Sequence, residues 1–404
     1  MALRKGQKGP SLLGIAFALC KVRLMSLKHD FFLSRKPLAG FMAIGAAWAT
    51  YFAQMPVIKA QVGATDGQYG VALLMAAFGA IAAMWLAPAC RRVAGGYAVP
   101  LGIGFIAVGM LAAGASTTLV ALTAAMMLAS TGSGVVDVLV NARVSEIEET
   151  SGRALMNLNH ALYAFAYAAG ALATGAMRHA GFGPSVVFAV LLAILLLLAW
   201  GARDTAPTAE PEAQGDTGTA PLTVVLLAGG IVLMAFLTEA STEGWSALHL
   251  ERTLGGGPGQ GALGPAALGL MMGMGRLGGH ALAGRVRDTT LMMIATLVSA
   301  GGVAIAGLAP TVMMALAGFA IAGLGISVVV PLVMALVGRV VPHAQRLIAI
   351  SRVSVIGYGA FFFGPPLMGL VAEGFGLRIA FITVAALLGM TAIMLIPALA
   401  RRAD

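Results

Sequence analysis

The chain has 404 residues, of which 59% are hydrophobic and only 10% are Asp, Glu, Lys or Arg, against about 25% charged in an ordinary soluble domain. So few charges cannot coat a water-soluble body of this size, and most of the chain must have lipid as its solvent. The net charge of +9 does not indicate nucleic acid, because the basic residues gather at the ends of apolar runs and build no basic face interleaved with aromatics.

In chain order, residues 1–36 come first. The ten-residue apolar run Ser11 to Cys20 follows Arg4, Lys5 and Lys8, is too short to cross a bilayer, and lacks a signal-peptide cleavage site. It reads as a basic tail, surface-lying or disordered, and a start at Met25 reads equally well. Twelve apolar runs follow, at 38–60, 68–90, 97–114, 119–142, 154–177, 184–202, 222–245, 263–284, 290–308, 311–336, 347–373 and 378–400. At about 1.5 Å per residue each spans a hydrocarbon core of about 30 Å, and runs of this length satisfy their backbone there as helices. The expected fold is an all-α membrane protein with twelve transmembrane helices in two parallel six-helix repeats. Its parts are the 1–36 tail, an N-terminal bundle at 37–202, a polar linker at 203–221 rich in Pro, Ala, Thr and Gly, and a C-terminal bundle at 222–404. A repeated Gly-x-Gly supports the parallel repeat: Gly132 and Gly134 find a match in Gly323 and Gly325, 191 residues on.

Lys and Arg set the orientation. With both termini cytoplasmic, eleven basic residues outside the tail fall on the inner side, and four, Lys59, Arg178, Arg252 and Arg378, on the outer side. A bacterial inner-membrane protein is expected.

Sequence motifs for other chemistries lack their context. Gly273-x-Gly275-x-x-Gly278 has the spacing of a dinucleotide loop but lies inside an apolar run, where small residues serve close helix packing. The six His and two Cys show no metal spacing, and neither a Walker lysine nor a G-x-S-x-G turn is present. No cofactor, metal or enzymatic activity is expected, and no disulfide between Cys20 and Cys90.

Polar residues inside apolar runs are costly unless they face a cavity or a partner, and so mark function. By depth, Asp137, His160, Arg276 and Arg352 form an inner layer, in which Asp137 and Arg276 can pair and Arg153 is a further charge-pair candidate. Asn141 is one turn beyond Asp137. Glu239 and Glu243 form an outer layer, four apart on one helical face. Glu243 is expected at the solvated end of its run, leaving Glu239 as the main acid for proton exchange.

Several of these segments resemble one family. Gly132-Ser-Gly-Val-Val-Asp137-Val-Leu-Val-Asn141, Gly152-Arg153 and His160-Ala are similar to the fourth and fifth helices of a bacterial major facilitator subgroup related to the fucose-permease type. Glu239 six residues before Trp245-Ser-Ala-Leu, Gly275-Arg276, Gly338-Arg339, Gly357-Tyr-Gly and Gly364-Pro365-Pro366 resemble its second half. The chain departs from the pattern at Pro88-Ala-Cys-Arg91-Arg92, which lacks the usual acid, at His280, where Asp is frequent, and at Gln54, where Arg is frequent. The resemblance covers residues 38–400. It implies a monomeric secondary transporter working by alternating access, with a small-molecule substrate and protons as its partners. Aromatics are only 7% of the chain, which favours a small polar solute, such as a sugar, over an apolar cation. Proton-driven efflux of drugs or metabolites, and a non-transporting receptor or scaffold, are the alternatives.

Overall fold

The computed structural model describes residues 12–204, 221–282, 287–342 and 345–403. Residues 205–220, where the sequence places the linker, lie outside the described residues. Six helices precede them: α1 (Leu12–Gln61), α2 (Asp66–Ala94), α3 (Ala98–Ala115), α4 (Leu119–Ser151), α5 (Met156–His179) and α6 (Pro184–Gly201). The second half contains α7 (Leu222–Leu248), α8 (Leu263–Leu282), α9 (Asp288–Leu308), α10 (Val312–Ile326), α11 (Val329–Val340), α12 (Arg346–Tyr358), α13 (Ala360–Met390) and α14 (Ile396–Ala403). Backbone helix reaches back to Leu12, into the segment expected as a tail.

Among the described residues, nine helical segments are long and apolar enough to cross a bilayer. Three of the expected twelve runs are not counted separately. Two are α5 and α8, which pack on each other across the halves. The last belongs to a 55-residue segment, Ile348–Arg402, that the sequence reads as two runs. The chain breaks there at Gly376, whose φ of 85° and ψ of 161° leave the helical region and lie where only glycine goes without strain. Outward-facing side chains are apolar, as in α6, where Leu196 and Leu197 are exposed. That distribution suits a lipid environment.

The repeat is visible in atomic detail. Thr118 caps α4 by accepting from the Ala121 backbone, and Thr311 caps α10 by accepting from Met314. A Cβ at Gly109 would meet Ala125 and Ala129 at 2.6–2.7 Å, and one at Gly302 would meet Gly318 and Ala322 at 2.4–2.7 Å. Each of these residues lies 193 positions after its counterpart (311 − 118 and 302 − 109), so the register is 193 rather than the 191 of the Gly-x-Gly match. Gly132 against α3 therefore corresponds to Gly325 against α9. The same pairing of small residues brings α3 onto α4 and α9 onto α10.

Candidate functional site

The halves meet around a cavity of about 330 Å³. One wall comes from α1, where Phe41, Ile44, Trp48 and Phe52 project together at helical spacing. Trp48 stacks on Phe52 at 5.5 Å between centroids and donates from Nε1 to Ser133 Oγ on α4 at 3.0 Å, which fixes its plane. On the opposite side, Phe236 of α7 stacks on Tyr358 of α12 at 5.7 Å and on Phe361 of α13 at 5.9 Å. Four aromatic residues of each half line the space, Tyr163 and Trp245 completing the sets. The sequence reading missed this concentration because overall composition says nothing about placement. Its signal was the stripe 41, 44, 48, 52 along α1.

Charged residues enter from both halves. Asp137 on α4, His160 on α5, Glu239 and Glu243 on α7, and Arg276 on α8 all line the one cavity, so the two expected polar layers become one site. Arg276 pairs with Glu239 at 3.7 Å, not with Asp137, and donates from Nη1 to the His160 carbonyl at 3.1 Å, bridging the halves. Asn141 stands behind Asp137 and donates to its Oδ1 at 2.9 Å and to its carbonyl at 2.8 Å. Glu243 is only 9% exposed because α7 runs on to Leu248, so it is not a solvated helix end. Arg352 is exposed on α12 and does not join the cluster. Arg153 pairs with Asp30, away from the cavity.

Sequence reasoning also missed a seal at the end of the molecule remote from the chain termini, here called the distal end. Arg178, at the end of α5, makes a two-pronged pair with Glu251 just beyond α7, at 2.6 and 2.9 Å, and donates to the Ala53 carbonyl at 2.7 Å. Asp66, opening α2, accepts from Arg252 at 2.8 and 2.5 Å and pairs with Lys59 at 2.9 Å. Glu373 of α13 accepts from the Gly67 backbone at 2.6 Å and from Thr65 at 3.0 Å. Beneath these pairs Tyr69 meets Trp245 edge-on at 5.8 Å, and Phe78 meets Phe362 at 5.3 Å. At the opposite, proximal end the ion pairs of Lys36 and Arg143 with Asp204, and of Arg339 with Asp288, each join residues of one half. The signal for the seal was available: the four basic residues that run against the charge bias include Lys59, Arg178 and Arg252. The fourth, Arg378, donates to the Ala309 carbonyl at 2.8 Å.

Comparison with known proteins agrees with this architecture. The sequence description of the Major Facilitator Superfamily matches residues 244–404. An uncharacterized MFS-type transporter of Yersinia pestis is 30% identical over 354 residues, covering 87% of this chain and 91% of that protein. Among solved structures, a D-xylose-proton symporter superposes with a TM-score of 0.71 at 14% identity, covering 90% of this chain and 97% of the other. A bacterial homolog of the human lysosomal transporter Spinster, in an inward-facing and unoccupied conformation, superposes with a TM-score of 0.69 at 14% identity, covering 92% and 97%.

Proposed function

The chain belongs to the major facilitator superfamily, and on that premise we propose that it is a proton-coupled secondary transporter of the bacterial inner membrane, carrying a small polar organic solute through the cavity between its halves. The observation that carries the reading is a cavity bearing three carboxylates at the junction of two pseudo-equivalent bundles, shut at one end by ion pairs between them. Binding sites at such a junction serve alternating access when the halves rock about them. The charge bias of eleven to four supports a distal end outside and both termini in the cytoplasm, an orientation in which this conformation would face inward. The twelve-span division, the monomeric state and the fucose-permease-type subgroup belong to the same proposal.

Glu239 is the proposed proton carrier. Protonation would remove its charge from the pair with Arg276 and free that guanidinium, which also holds the first half through the His160 carbonyl. Proton arrival is thereby coupled to the grip between the bundles. A second reading, efflux against protons, draws on the aromatic walls and the excess of acid over base.

To test the transport reading, the purified protein is screened by thermal unfolding against D-xylose, other sugars, amino acids and amines, since ligands of the native state raise apparent stability. A stabilising compound is then followed as labelled solute in proteoliposomes. A pH gradient should drive its accumulation by the wild type. Glu239→Gln should retain exchange of labelled for unlabelled solute and lose the gradient-driven accumulation. Equal accumulation by this variant, with unchanged pH dependence, would refute the proton role.

A further inference from the structure

We propose, resting on the transport reading above, that the solute is a compact organic cation whose ammonium group is held by the cavity carboxylates that Arg276 does not neutralise. The charge count leads there. Three carboxylates, Asp137, Glu239 and Glu243, face the cavity with a single guanidinium. Arg276 is already engaged by Glu239 and the His160 carbonyl. Asp137 accepts from the neutral amide of Asn141, which orients the carboxylate without cancelling its charge. Glu243, more than nine-tenths buried, has no hydrogen bond or ion pair from any described residue and lines the cavity. Buried charge of this kind needs a cation or a proton.

The walls select the kind of cation. His160, Tyr163 and Tyr358 are the other titratable groups facing the space, and no group of three or more His, Cys, Asp or Glu among the described residues has metal-holding geometry. Aromatic faces do not replace the oxygen shell of a small metal ion. They do attract an ammonium group through the negative face of the ring, and cover the carbon body it carries. Trp48 and Phe52 offer such faces from the first half, Phe236 and Tyr358 from the second. The volume of about 330 Å³ lies at the low end of the about 300–1,000 Å³ range of ligand pockets, so the cation is compact. Because a proton and an ammonium group compete for the same carboxylate, Asp137 and Glu243 share proton handling with Glu239, and the two species travel in opposite directions, as in the second reading above.

The test compares ligands of matched shape and different charge on the full chain in detergent: phenethylammonium against 2-phenylethanol, and choline against 3,3-dimethylbutan-1-ol, in matched NaCl. The cations should raise Tm saturably, by about 2 °C or more, and their neutral partners should not. Apparent affinity for the cations should fall as pH is lowered, and should fall about tenfold in Glu243→Gln. If that variant does not fold, the wild-type pH series decides alone. Stabilisation by NaCl, or by sugars and the neutral alcohols with none from the cations, overturns the assignment and leaves the transport reading standing. No stabilisation by either cation also overturns it. Proton release from acid-loaded proteoliposomes on adding external benzyltrimethylammonium, which cannot cross as a neutral species, supports both readings. Cation-specific stabilisation without proton movement, under any solute gradient, would retain the cation site and defeat the transport reading.

Discussion

Asp137 shows how one residue's chemistry is set by its neighbours. Asn141, one turn along α4, donates both to its carboxylate and to its backbone carbonyl, so the acid is oriented by its own helix and presented to the other half. Asp137→Asn keeps the shape and removes the charge. It should reduce solute flux in proteoliposomes by at least about tenfold, whereas Glu149→Gln, at an exposed site of α4, should leave flux unchanged. Asp137, His160, Glu239 and Arg276 were legible in the sequence because charged and polar groups in apolar runs are costly. Glu243 was misjudged because its environment depends on where α7 ends. Arg352 was misplaced for another reason: a position along a helix gives depth at about 1.5 Å per residue but not the direction of the side chain around the axis.

At the scale of the helix, close packing through small residues fixes both halves in one pattern. A Cβ at Gly132 would lie 2.5 Å from the Gly102 carbonyl oxygen, and one at Gly325 would lie 2.5 Å from that of Ala295. Gly132→Val should therefore cost about 1–3 kcal/mol by overpacking, read as a lower midpoint of thermal unfolding. Gly278, the last glycine of the dinucleotide-like spacing, has open space around its Cβ position, and Gly278→Ala should leave stability unchanged or raise it by about 0.5–1 kcal/mol. Gly273 and Gly275 of the same motif would instead clash with Phe165 and Ser327, so the motif is a packing surface between α8 and its neighbours. The existence of a repeat was readable from the letters, and its register was not. Gly134 touches α2 and Gly323 touches α8, so the letter match paired glycines with different roles, and only contacts reveal the 193-residue correspondence.

For the whole molecule, the decisive feature is a distal end pinned by ion pairs between the halves, Arg178 with Glu251 and Arg252 with Asp66. Helix type, lipid exposure and the two-bundle plan followed from apolar run length and spacing. The conformation did not, because ion pairs between residues more than seventy positions apart, such as Arg178 and Glu251, leave no local pattern. Arg178 is only 4% exposed as a side chain, and removing one partner of a buried pair costs about 3–5 kcal/mol. That cost falls only on the sealed conformation, and about 3 kcal/mol shifts a two-state population by roughly two decades. The most direct measurement is sided access to the cavity: Ala240, which lines it, is replaced by Cys with Cys20 and Cys90 changed to Ser, and a membrane-impermeant thiol reagent is applied from either side of oriented vesicles. Labelling should come from the cytoplasmic side in the otherwise wild-type chain, and should appear from the opposite side, at least about tenfold faster than before, when Asp66→Asn and Glu251→Gln are added. Labelling from the same side at the same rate, with and without the seal substitutions, would contradict a cavity gated by these ion pairs.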